Sequence, residues 1–454
     1  MSARATSHLV LALIGILWAV LVVQNLEYLG RFAYHTYLVS IRWLQFLFIG
    51  LSLYGVAALL YGLRRTPVAP VATRRPFISI LVPAKDEERV IDGTIRALAH
   101  LDYHARGRRR FEILVIDDGS TDGTPRILAR LQHELGVRVV RTAGGGRGKA
   151  AALNQGMRHA RGELIAVFDA DARVAPDFLQ RLVAGLDGPR IAGVQGRRVF
   201  YNAGQNALTR MQQDEFGILL TCMQRTREAI GGFVNFAGNG LLVRRDALAS
   251  VGGWSEDAVT EDIDLSIRLY LAGWRIRYRD DAPVWEEAVT TLRALVRQRT
   301  RWFEGGLRCL GEHLPKILVN RMPLLARLDT LFFLMGVLLA GLALLTTYVY
   351  TLIGLAGAVL LFLGVSRWVM AGMAGAFTLT LVAAGVTIEG RSPLAALGLV
   401  VRQALFSFHR LATVPLGIVR YVQGAVTGRV DWAKTAHVGA MAPEVSGRLH
   451  QGVR

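Results

Sequence analysis

Cysteine is scarce in this sequence, and Cys222 and Cys309 are its two occurrences in 454 residues. They lie far apart and neither has a second pair of ligands nearby, which excludes a disulfide framework and a cysteine-based zinc module. We therefore expect two free, reduced thiols. Internal repeats and long low-complexity tracts are also lacking in the sequence, so a repeat architecture is excluded.

Acidic residues are few, at 35 Asp and Glu against 53 Lys and Arg, which gives a formal net charge of +18. In a soluble protein this excess would raise the question of nucleic acid. The sequence lacks strands in which aromatic and basic residues interleave, so we expect no nucleic-acid partner. Much of the basic excess flanks apolar runs, which favours anionic membrane lipids as the partner.

Charged residues nearly vanish from long stretches at both ends of the chain. Runs 9–23 and 43–63 predict two N-terminal transmembrane helices, and 328–388 is long enough for three more. Residues 9–23 could instead be the apolar core of a signal peptide. Arginines follow the second run, so the positive-inside tendency places the middle of the chain in the cytoplasm of a multi-pass plasma-membrane protein.

A fourth C-terminal span is expected over 393–422, since a cytosolic tail requires an even number of crossings. Arg402 and Arg410 make this span costly unless they line a polar conduit, and an amphipathic helix on the membrane surface is the alternative. The predicted parts are two N-terminal spans (1–66), a linker (67–76), a cytosolic α/β domain (77–288), amphipathic interfacial helices (289–327), C-terminal spans (328–422) and a cytosolic tail (423–454).

The middle region alternates between strand-like and helix-like segments. The runs at 77–83, 111–119, 137–141 and 163–171 are rich in β-branched residues, and helix-like segments separate them. This alternation predicts a mostly parallel sheet with helices on both faces. Ligands of such sheets bind beyond the carboxyl ends of the strands.

Acidic residues gather at the first two of these strand ends. Glu87 follows the first strand, and Asp117 and Asp118 follow the second. A helix start and an ordinary acidic turn are sufficient explanations of these two groups. A carboxylate at such a strand end could also accept the N3–H of a uracil ring.

The next two segments suit a diphosphate. The glycine-rich segment 142–156 carries Arg147 and Lys149 but departs from the ATPase phosphate-loop pattern, so it is either an anion-binding loop or a plain flexible loop. Asp169 and Asp171 are two apart in an extended segment and therefore face the same way. Paired carboxylates favour a hard divalent ion that keeps other positions for a diphosphate, and a solvated acidic turn is the alternative.

Two later motifs could act on the same ligand. TED, at 260–262, is either a helix start capped by Thr260 or the source of a general base for an acceptor hydroxyl. QRTRW, at 298–302, has the spacing that places an amide, a guanidinium and an indole on one face of a helix. That face suits a sugar and an anion, although a membrane-surface helix with scattered arginines has the same composition.

The ordered set PAKDEE, DDGSTDGT, RGKAAALNQG, DAD, TED and QRTRW resembles the membrane-embedded family 2 glycosyltransferases, which are the cellulose, chitin, hyaluronan and poly-N-acetylglucosamine synthases. The resemblance covers about residues 77–312. It implies a Rossmann-like α/β GT-A fold and inverting transfer from a UDP-sugar donor, with Mg²⁺ or Mn²⁺ as cofactor. It also implies a growing extracellular glycan as acceptor and accessory membrane or secretion subunits as partners.

The resemblance also implies roles for individual residues. Asp262, with Glu261 beside it, would be the catalytic base, and Asp171 with Asp169 would hold the metal. The segment GRVDWAKTAH at 428–437 is similar to the gating loop of these synthases. The implied substrate-binding residues are Ala84, Glu87, Asp117, Asp118, Lys149, Asp169, Gln298, Arg301, Trp302, Trp432 and Thr435.

Two other functions remain open at this stage. Lipid glycosyltransferases of the ceramide or diacylglycerol type share much of the motif set and add one sugar to a lipid acceptor. A non-catalytic membrane partner that senses nucleotide belongs to a different class, and the intact DAD, TED and QRTRW motifs speak against it.

Overall fold

The computed structural model describes residues 58–64, 74–142, 145–334 and 367–427, together with Gly439 and four isolated positions near the N terminus. Several sequence predictions lie outside the described residues. These are nearly all of the span at 9–23, most of the span at 43–63, the centre of 328–388, and the positions Trp432 and Thr435.

The strands of the described residues are β1 (Ile78–Ala84), β2 (His104–Ala105), β3 (Arg108–Arg109), β4 (Phe111–Asp117), β5 (Arg138–Arg141), β6 (Leu164–Val167), β7 (Arg173–Val174), β8 (Ile191–Phe200), β9 (Leu241–Arg244) and β10 (Arg275–Glu286). Eight of them form one sheet in the order β5-β4-β1-β6-β9-β8-β10-β7. The first four in this order are mutually parallel. The strand β9 runs antiparallel to both of its neighbours, so the sheet is mixed.

The helices are α1 (Ile91–Ala99), α2 (Thr124–Leu135), α3 (Lys149–His159), α4 (Phe178–Ala184), α5 (Ala207–Asp214), α6 (Thr221–Ile230), α7 (Arg245–Ser250), α8 (Glu261–Leu271), α9 (Leu292–Val319), α10 (Arg367–Glu389), α11 (Pro393–Ser407) and α12 (Arg410–Thr427). A π-helical turn, Glu215–Leu220, joins α5 to α6. The predicted strands at 77–83, 111–119, 137–141 and 163–171 are confirmed as β1, β4, β5 and β6, with α1, α2 and α3 in the predicted places between them.

Alternation along β1 explains why the sheet has a packed layer on each face. Ile80 and Val82 are fully buried in a core that includes Ile95 of α1. Leu81 points to the opposite face and is buried in a second core that includes Leu153 of α3. Each such side chain contributes about 1.5–3 kcal/mol on burial, so both faces stabilise the register that positions the strand ends.

The segment 393–422, predicted as a fourth C-terminal span, contains two helices, α11 and α12, in place of one continuous helix. Arg402 of α11 has a protein partner, since its Nε donates to Asp214 Oδ2 at 2.6 Å. Asp214 is fully buried on α5 and also accepts a hydrogen bond from Arg391 at 2.5 Å. This ion pair joins α11 to α5 and was not visible in the sequence.

The structure also bears on the predicted membrane-spanning helices and on the two cysteines. Among the described residues, the structure contains no helix with both the length and the apolar character needed to cross a bilayer. The helix α12 instead packs on α9, where a Cβ at Gly417 would lie 2.6 Å from the Phe303 ring. Neither Cys222 nor Cys309 forms a disulfide, as predicted, and both side chains are buried.

Candidate active site

The carboxyl ends of three parallel strands lie side by side. Ala84 at the end of β1 pairs with Asp117 at the end of β4, and the Asp118 N–H donates to the Ala84 carbonyl at 2.9 Å. Leu81 of β1 pairs with Val167 of β6, so Asp169 follows at the same edge. The sheet therefore brings together acidic residues from three motifs that are distant in sequence.

The loops after β1 and β4 hold one another. Asp86 Oδ1 accepts hydrogen bonds from the Thr121 N–H at 2.7 Å and from its hydroxyl at 3.2 Å. Glu88 Oε2 accepts one from the Gly123 N–H at 2.7 Å. Asp86 has a φ of 54°, a left-handed conformation that Asp tolerates better than most residues. These carboxylates shape the loops, in line with the turn interpretation of these segments.

Asp118 supports the glycine-rich loop before α3. Its Oδ2 accepts a hydrogen bond from the Gly148 N–H at 3.0 Å, and its Oδ1 accepts one from the Thr142 hydroxyl at 2.8 Å. Asp117 has a different environment, because its Oδ1 accepts the Ser120 N–H at 2.9 Å while Arg141 Nε lies 3.9 Å from its Oδ2. Of the two, Asp117 is the better candidate for a nucleoside contact.

The Lys149 ammonium joins the DAD and TED motifs. Its Nζ donates to Asp169 Oδ1 at 2.6 Å and to the Gly238 carbonyl at 2.8 Å, and it lies 3.3 Å from Glu261 Oε1. Burial lowers the pKa of Lys149, but the carboxylates of Asp169 and Glu261 outweigh burial and raise it above its ordinary value. Lys149 is thus a constant positive charge inside an acidic cluster.

Asp262 lies in the same cluster, in the first turn of α8. Burial and the neighbouring Glu261 raise the pKa of Asp262 to about 6, and Lys149 opposes that rise. Such a carboxylate is largely ionised at neutral pH and accepts a proton more readily than an ordinary Asp. The alternative of a helix start is also met, because Thr260 is the N-cap residue of α8 and Glu261 and Asp262 lie in its first turn. The Thr260 side chain makes no cap hydrogen bond, and its hydroxyl lies 3.7 Å from Cys309 Sγ.

Asp171 lies deeper than Asp169, with 3% of its surface exposed. Its Oδ2 accepts a hydrogen bond from the Glu287 N–H at 2.7 Å. Glu287 Oε2 in turn accepts one from the Gly439 N–H at 3.2 Å. Glu287 therefore connects Gly439 of the C-terminal tail to the DAD motif, while the predicted gating loop at 428–437 lies outside the described residues.

The QRTRW segment is helical, as predicted, and lies within α9. The ring centroids of Trp302 and Phe216 are 6.0 Å apart, and the Arg198 guanidinium lies 5.9 Å from the Trp302 ring. Among the described residues, Arg301 Nε is buried without a hydrogen-bond partner. Gln298 lies one turn before Trp302 and is half-buried. The helix thus offers an aromatic surface and an unpaired guanidinium N–H.

Residues 164–382 match the family described as glycosyl transferase family group 2. Over 262 residues the chain is 43% identical to a beta-monoglucosyldiacylglycerol synthase of Nostoc sp., covering 57% of this chain and 55% of that protein. Over 230 residues it is 31% identical to a poly-beta-1,6-N-acetyl-D-glucosamine synthase of Staphylococcus aureus, covering 50% of this chain and 54% of that protein. The chain spans about half the length of the curated relatives it matches.

A solved mannosyltransferase of Pyrobaculum calidifontis, in complex with GDP-mannose and Mn²⁺, has a similar fold. The TM-score is 0.54 at 22% identity, over 85% of this chain and 98% of that one. The family 2 glycosyltransferase match thus lies over residues 164–382, and the middle domain has a GT-A α/β fold. The predicted α/β GT-A fold of the middle domain and the predicted glycosyltransferase class are therefore confirmed, whereas the resemblance to processive synthases is supported only at the level of the family.

Three residues of the glycosyltransferase domain, two of them buried and Arg198 half-buried, escaped sequence reasoning. Arg198, Asn239 and Glu286 lie between the DAD motif and Trp302, and hydrogen bonds connect them. The glycines on both sides of Asn239 have positive φ angles, so the FAGNG segment could have indicated a tight loop near the ligand. No sequence signal marks Arg198 or Glu286, because their pairing joins two strands that are far apart along the chain.

A second acidic cluster lies behind the glycosyltransferase site. Asp264, Glu312 and His313 offer ligand atoms that all lie within 4.8 Å of one another. His313 Nε2 lies 2.8 Å from Asp264 Oδ1, and Arg268 forms an ion pair with the same carboxylate at 2.7 Å. Because the guanidinium already neutralises Asp264, this cluster is best described as an ion-pair network that joins α8 to α9.

Proposed function

We propose that this protein transfers a single hexose from a UDP-sugar, with inversion, to the hydroxyl of a membrane lipid of the diacylglycerol type. The observation that carries the transferase chemistry is the meeting of Asp262, Glu261, Lys149 and Asp169 at the carboxyl edge of the sheet. The lipid acceptor is supported by the 43% identity to a protein named as a beta-monoglucosyldiacylglycerol synthase.

The proposed reaction is one displacement. Asp262 accepts the proton of the acceptor hydroxyl while that oxygen forms a bond to the anomeric carbon. The bond between that carbon and the diphosphate oxygen breaks on the opposite face, so UDP leaves with the electron pair and the configuration inverts. Lys149 and Arg301 are the cations placed to stabilise the charge that develops on the departing diphosphate.

A divalent cation fits the residues present at the DAD motif. Asp169 and Asp171 offer carboxylate oxygens, which are the ligands that Mg²⁺ and Mn²⁺ prefer. Lys149 occupies only Oδ1 of Asp169. Asp171, with Asp169 beside it, would hold the ion, which would neutralise part of the diphosphate charge when bound.

The nucleoside is proposed to lie between the loops after β1 and β4. Asp117 is the candidate for accepting the N3–H of the uracil ring, with Ala84 and the buried Glu87 beside it. Asp118 would act through the glycine-rich loop that it holds. Trp302 would provide the apolar floor for the acceptor, and Gln298 would bond to a hydroxyl.

A lipid acceptor requires the enzyme to work at a membrane, and the surface of α11 supports this proposal. Exposed apolar side chains of α11 and of its C-cap residue recur at spacings of three and four residues, which places them on one face: Leu394, Leu397, Val401, Leu405 and Phe408. The net charge of +18 would add attraction to anionic headgroups. We propose that the glycosyltransferase domain faces the cytoplasm, where UDP-sugars are found.

Polysaccharide synthesis is the second candidate. It is favoured by the 31% identity to a poly-beta-1,6-N-acetyl-D-glucosamine synthase. The two functions share the donor chemistry and differ in whether the product is itself an acceptor.

The deciding experiment uses the full chain in nanodiscs that contain diacylglycerol, with labelled UDP-glucose, UDP-galactose or UDP-N-acetylglucosamine. We expect UDP release together with a glycolipid carrying one hexose, measured by mass spectrometry, and neither from the Asp262→Asn variant. A ladder of larger products would replace the lipid proposal with the polymer one. Absence of UDP release with all three donors would contradict both.

A further inference from the structure

We propose that Arg198, Glu286 and Asn239 form a positioning relay that holds the Asp169 end of the metal and diphosphate site in fixed relation to the Trp302 acceptor surface. This inference rests on the proposed function for the identity of the two sites that it connects. None of the three residues belongs to the DAD, TED or QRTRW motifs.

Asn239 forms the first link of the relay. It is fully buried in the loop before β9. Its Oδ1 accepts a hydrogen bond from the Asp169 N–H at 3.1 Å, and its Nδ2 donates to Glu286 Oε2 at 2.8 Å. An amide is the side chain that meets both needs, because it presents an acceptor to the N–H and a donor to the carboxylate.

Glu286 and Arg198 form the second link. Arg198 Nε lies 3.0 Å from Glu286 Oε2 and its Nη2 lies 2.5 Å from Oε1, a two-pronged pair between the ends of β8 and β10. Glu286 is 4% exposed, so the pair is shielded from water. The Arg198 guanidinium lies 4.8 Å from the Phe216 ring and 5.9 Å from the Trp302 ring, which connects it to the acceptor side.

The loop that carries Asn239 also reaches Lys149. Gln195 Nε2 donates to the Asn239 carbonyl at 2.9 Å, and Gln195 Oε1 accepts the Ala237 N–H at 2.8 Å. The Gly238 carbonyl accepts a hydrogen bond from Lys149 at 2.8 Å. Displacing Asn239 would therefore move the Gly238 carbonyl, which accepts a hydrogen bond from Lys149, as well as the backbone of Asp169, so the relay acts on the charged cluster through these two neighbours.

The first test compares Glu286→Gln with the control Glu112→Gln in the full-length protein. Glu112 also forms a partly buried ion pair with an arginine, Arg138 at 2.7 Å. It lies near the start of β4, at the end of the strand opposite to Asp117 and the candidate site. Binding of Mn²⁺ in the presence of UDP is measured by the electron paramagnetic resonance of the free ion. We expect Glu286→Gln to weaken Mn²⁺ binding about 10–100-fold, as is usual when the partner of a metal ligand is lost, and Glu112→Gln to leave it unchanged.

The second test is a rescue. Asn239→Asp alone would face Glu286 with a second carboxylate, and we expect the largest loss of Mn²⁺ binding from this variant. In Asn239→Asp combined with Glu286→Gln, the new amide donates to the new carboxylate, which still accepts the Asp169 N–H. We expect the double variant to bind Mn²⁺ more tightly than Asn239→Asp does, which a general loss of stability would not produce.

Three results separate the relay from the proposed function. A Glu286→Gln variant with the Mn²⁺ affinity of the wild type would overturn the relay, and so would a wild type that binds no Mn²⁺ together with UDP. A wild type that binds both but transfers no sugar would contradict the proposed function, while the comparison of variants would still decide the relay.

Discussion

Two groups of acidic side chains border the same edge of the sheet and differ in the groups that stabilise their negative charge. Asp86, Glu88 and Asp118 accept hydrogen bonds from backbone N–H groups of neighbouring loops. Glu261 and Asp169 instead face the Lys149 ammonium at 3.3 and 2.6 Å. The first group, which we call the loop acids, builds the scaffold. The second, with Asp262, forms the charged cluster, and there burial and the neighbouring Glu261 raise the pKa of Asp262 while Lys149 opposes the rise.

This contrast gives a rule for reading such motifs in related domains. Carboxylates whose partners are backbone N–H groups are expected to affect stability when replaced. Carboxylates that share one cation are expected to affect the rate and its dependence on pH. Four substitutions, in order of decreasing expected effect, examine whether the division holds.

Asp262→Asn should have the largest effect. Removing the proton acceptor is expected to lower kcat about 10²–10⁴-fold, the usual contribution of a general base. The release of UDP in the presence of acceptor measures this loss. Asp92→Asn, on the exposed side of α1, serves as control and should retain the rate; a similar loss in both variants would remove the special role of Asp262.

Lys149→Met should lower the rate about 10–100-fold, because it removes a cation aimed at the developing charge. It should also move the acid limb of the pH profile of kcat/KM. Since Lys149 holds the pKa of Asp262 down, its loss raises that pKa above about 6, and the rate should fall off at higher pH than in the wild type. Lys149→Arg keeps the charge and should keep the acid limb near its original position.

Glu261→Gln should act in the opposite direction and more weakly. Its negative charge helps to raise the pKa of Asp262, so neutralising it lowers that pKa and extends activity to lower pH. The acid limb of kcat/KM reports the change. An unchanged limb would mean that burial alone sets the proton affinity of Asp262.

Asp86→Ala should affect the fold more than the reaction. It removes an acceptor of two hydrogen bonds and places Ala at a φ of 54°, which together cost about 1–3 kcal/mol of stability. Thermal unfolding measures the loss, and KM for the donor should change less than about threefold in the same preparation. Asp86→Asn, which tolerates the left-handed backbone, should lose less stability than Asp86→Ala; the reverse order would contradict a role in loop geometry.

The alternation of the middle region was sufficient to predict four of its strands, β1, β4, β5 and β6, and the three helices between them. A strand that is buried on both faces consists of a nearly continuous run of apolar, often β-branched residues, as at 77–83 and 163–171. These runs and the turn residues that end them are visible in the sequence. The helical spacing of QRTRW likewise predicted α9. The break between α11 and α12 and the pairing of Arg402 with Asp214, a residue 188 positions away, were not predicted, because composition alone cannot reveal such a partner.

The amino-acid sequence by itself determined the fold class and the list of candidate acids, because period and turn chemistry are local properties of the chain. Only the tertiary structure decided which acids share Lys149, which ones hold loops, and that Arg198, Glu286 and Asn239 connect the two sides of the site. The physical reason is that the proton affinity and hydrogen bonding of a side chain depend on the groups within a few ångströms of it, and here those groups come from strands and loops far apart in the sequence.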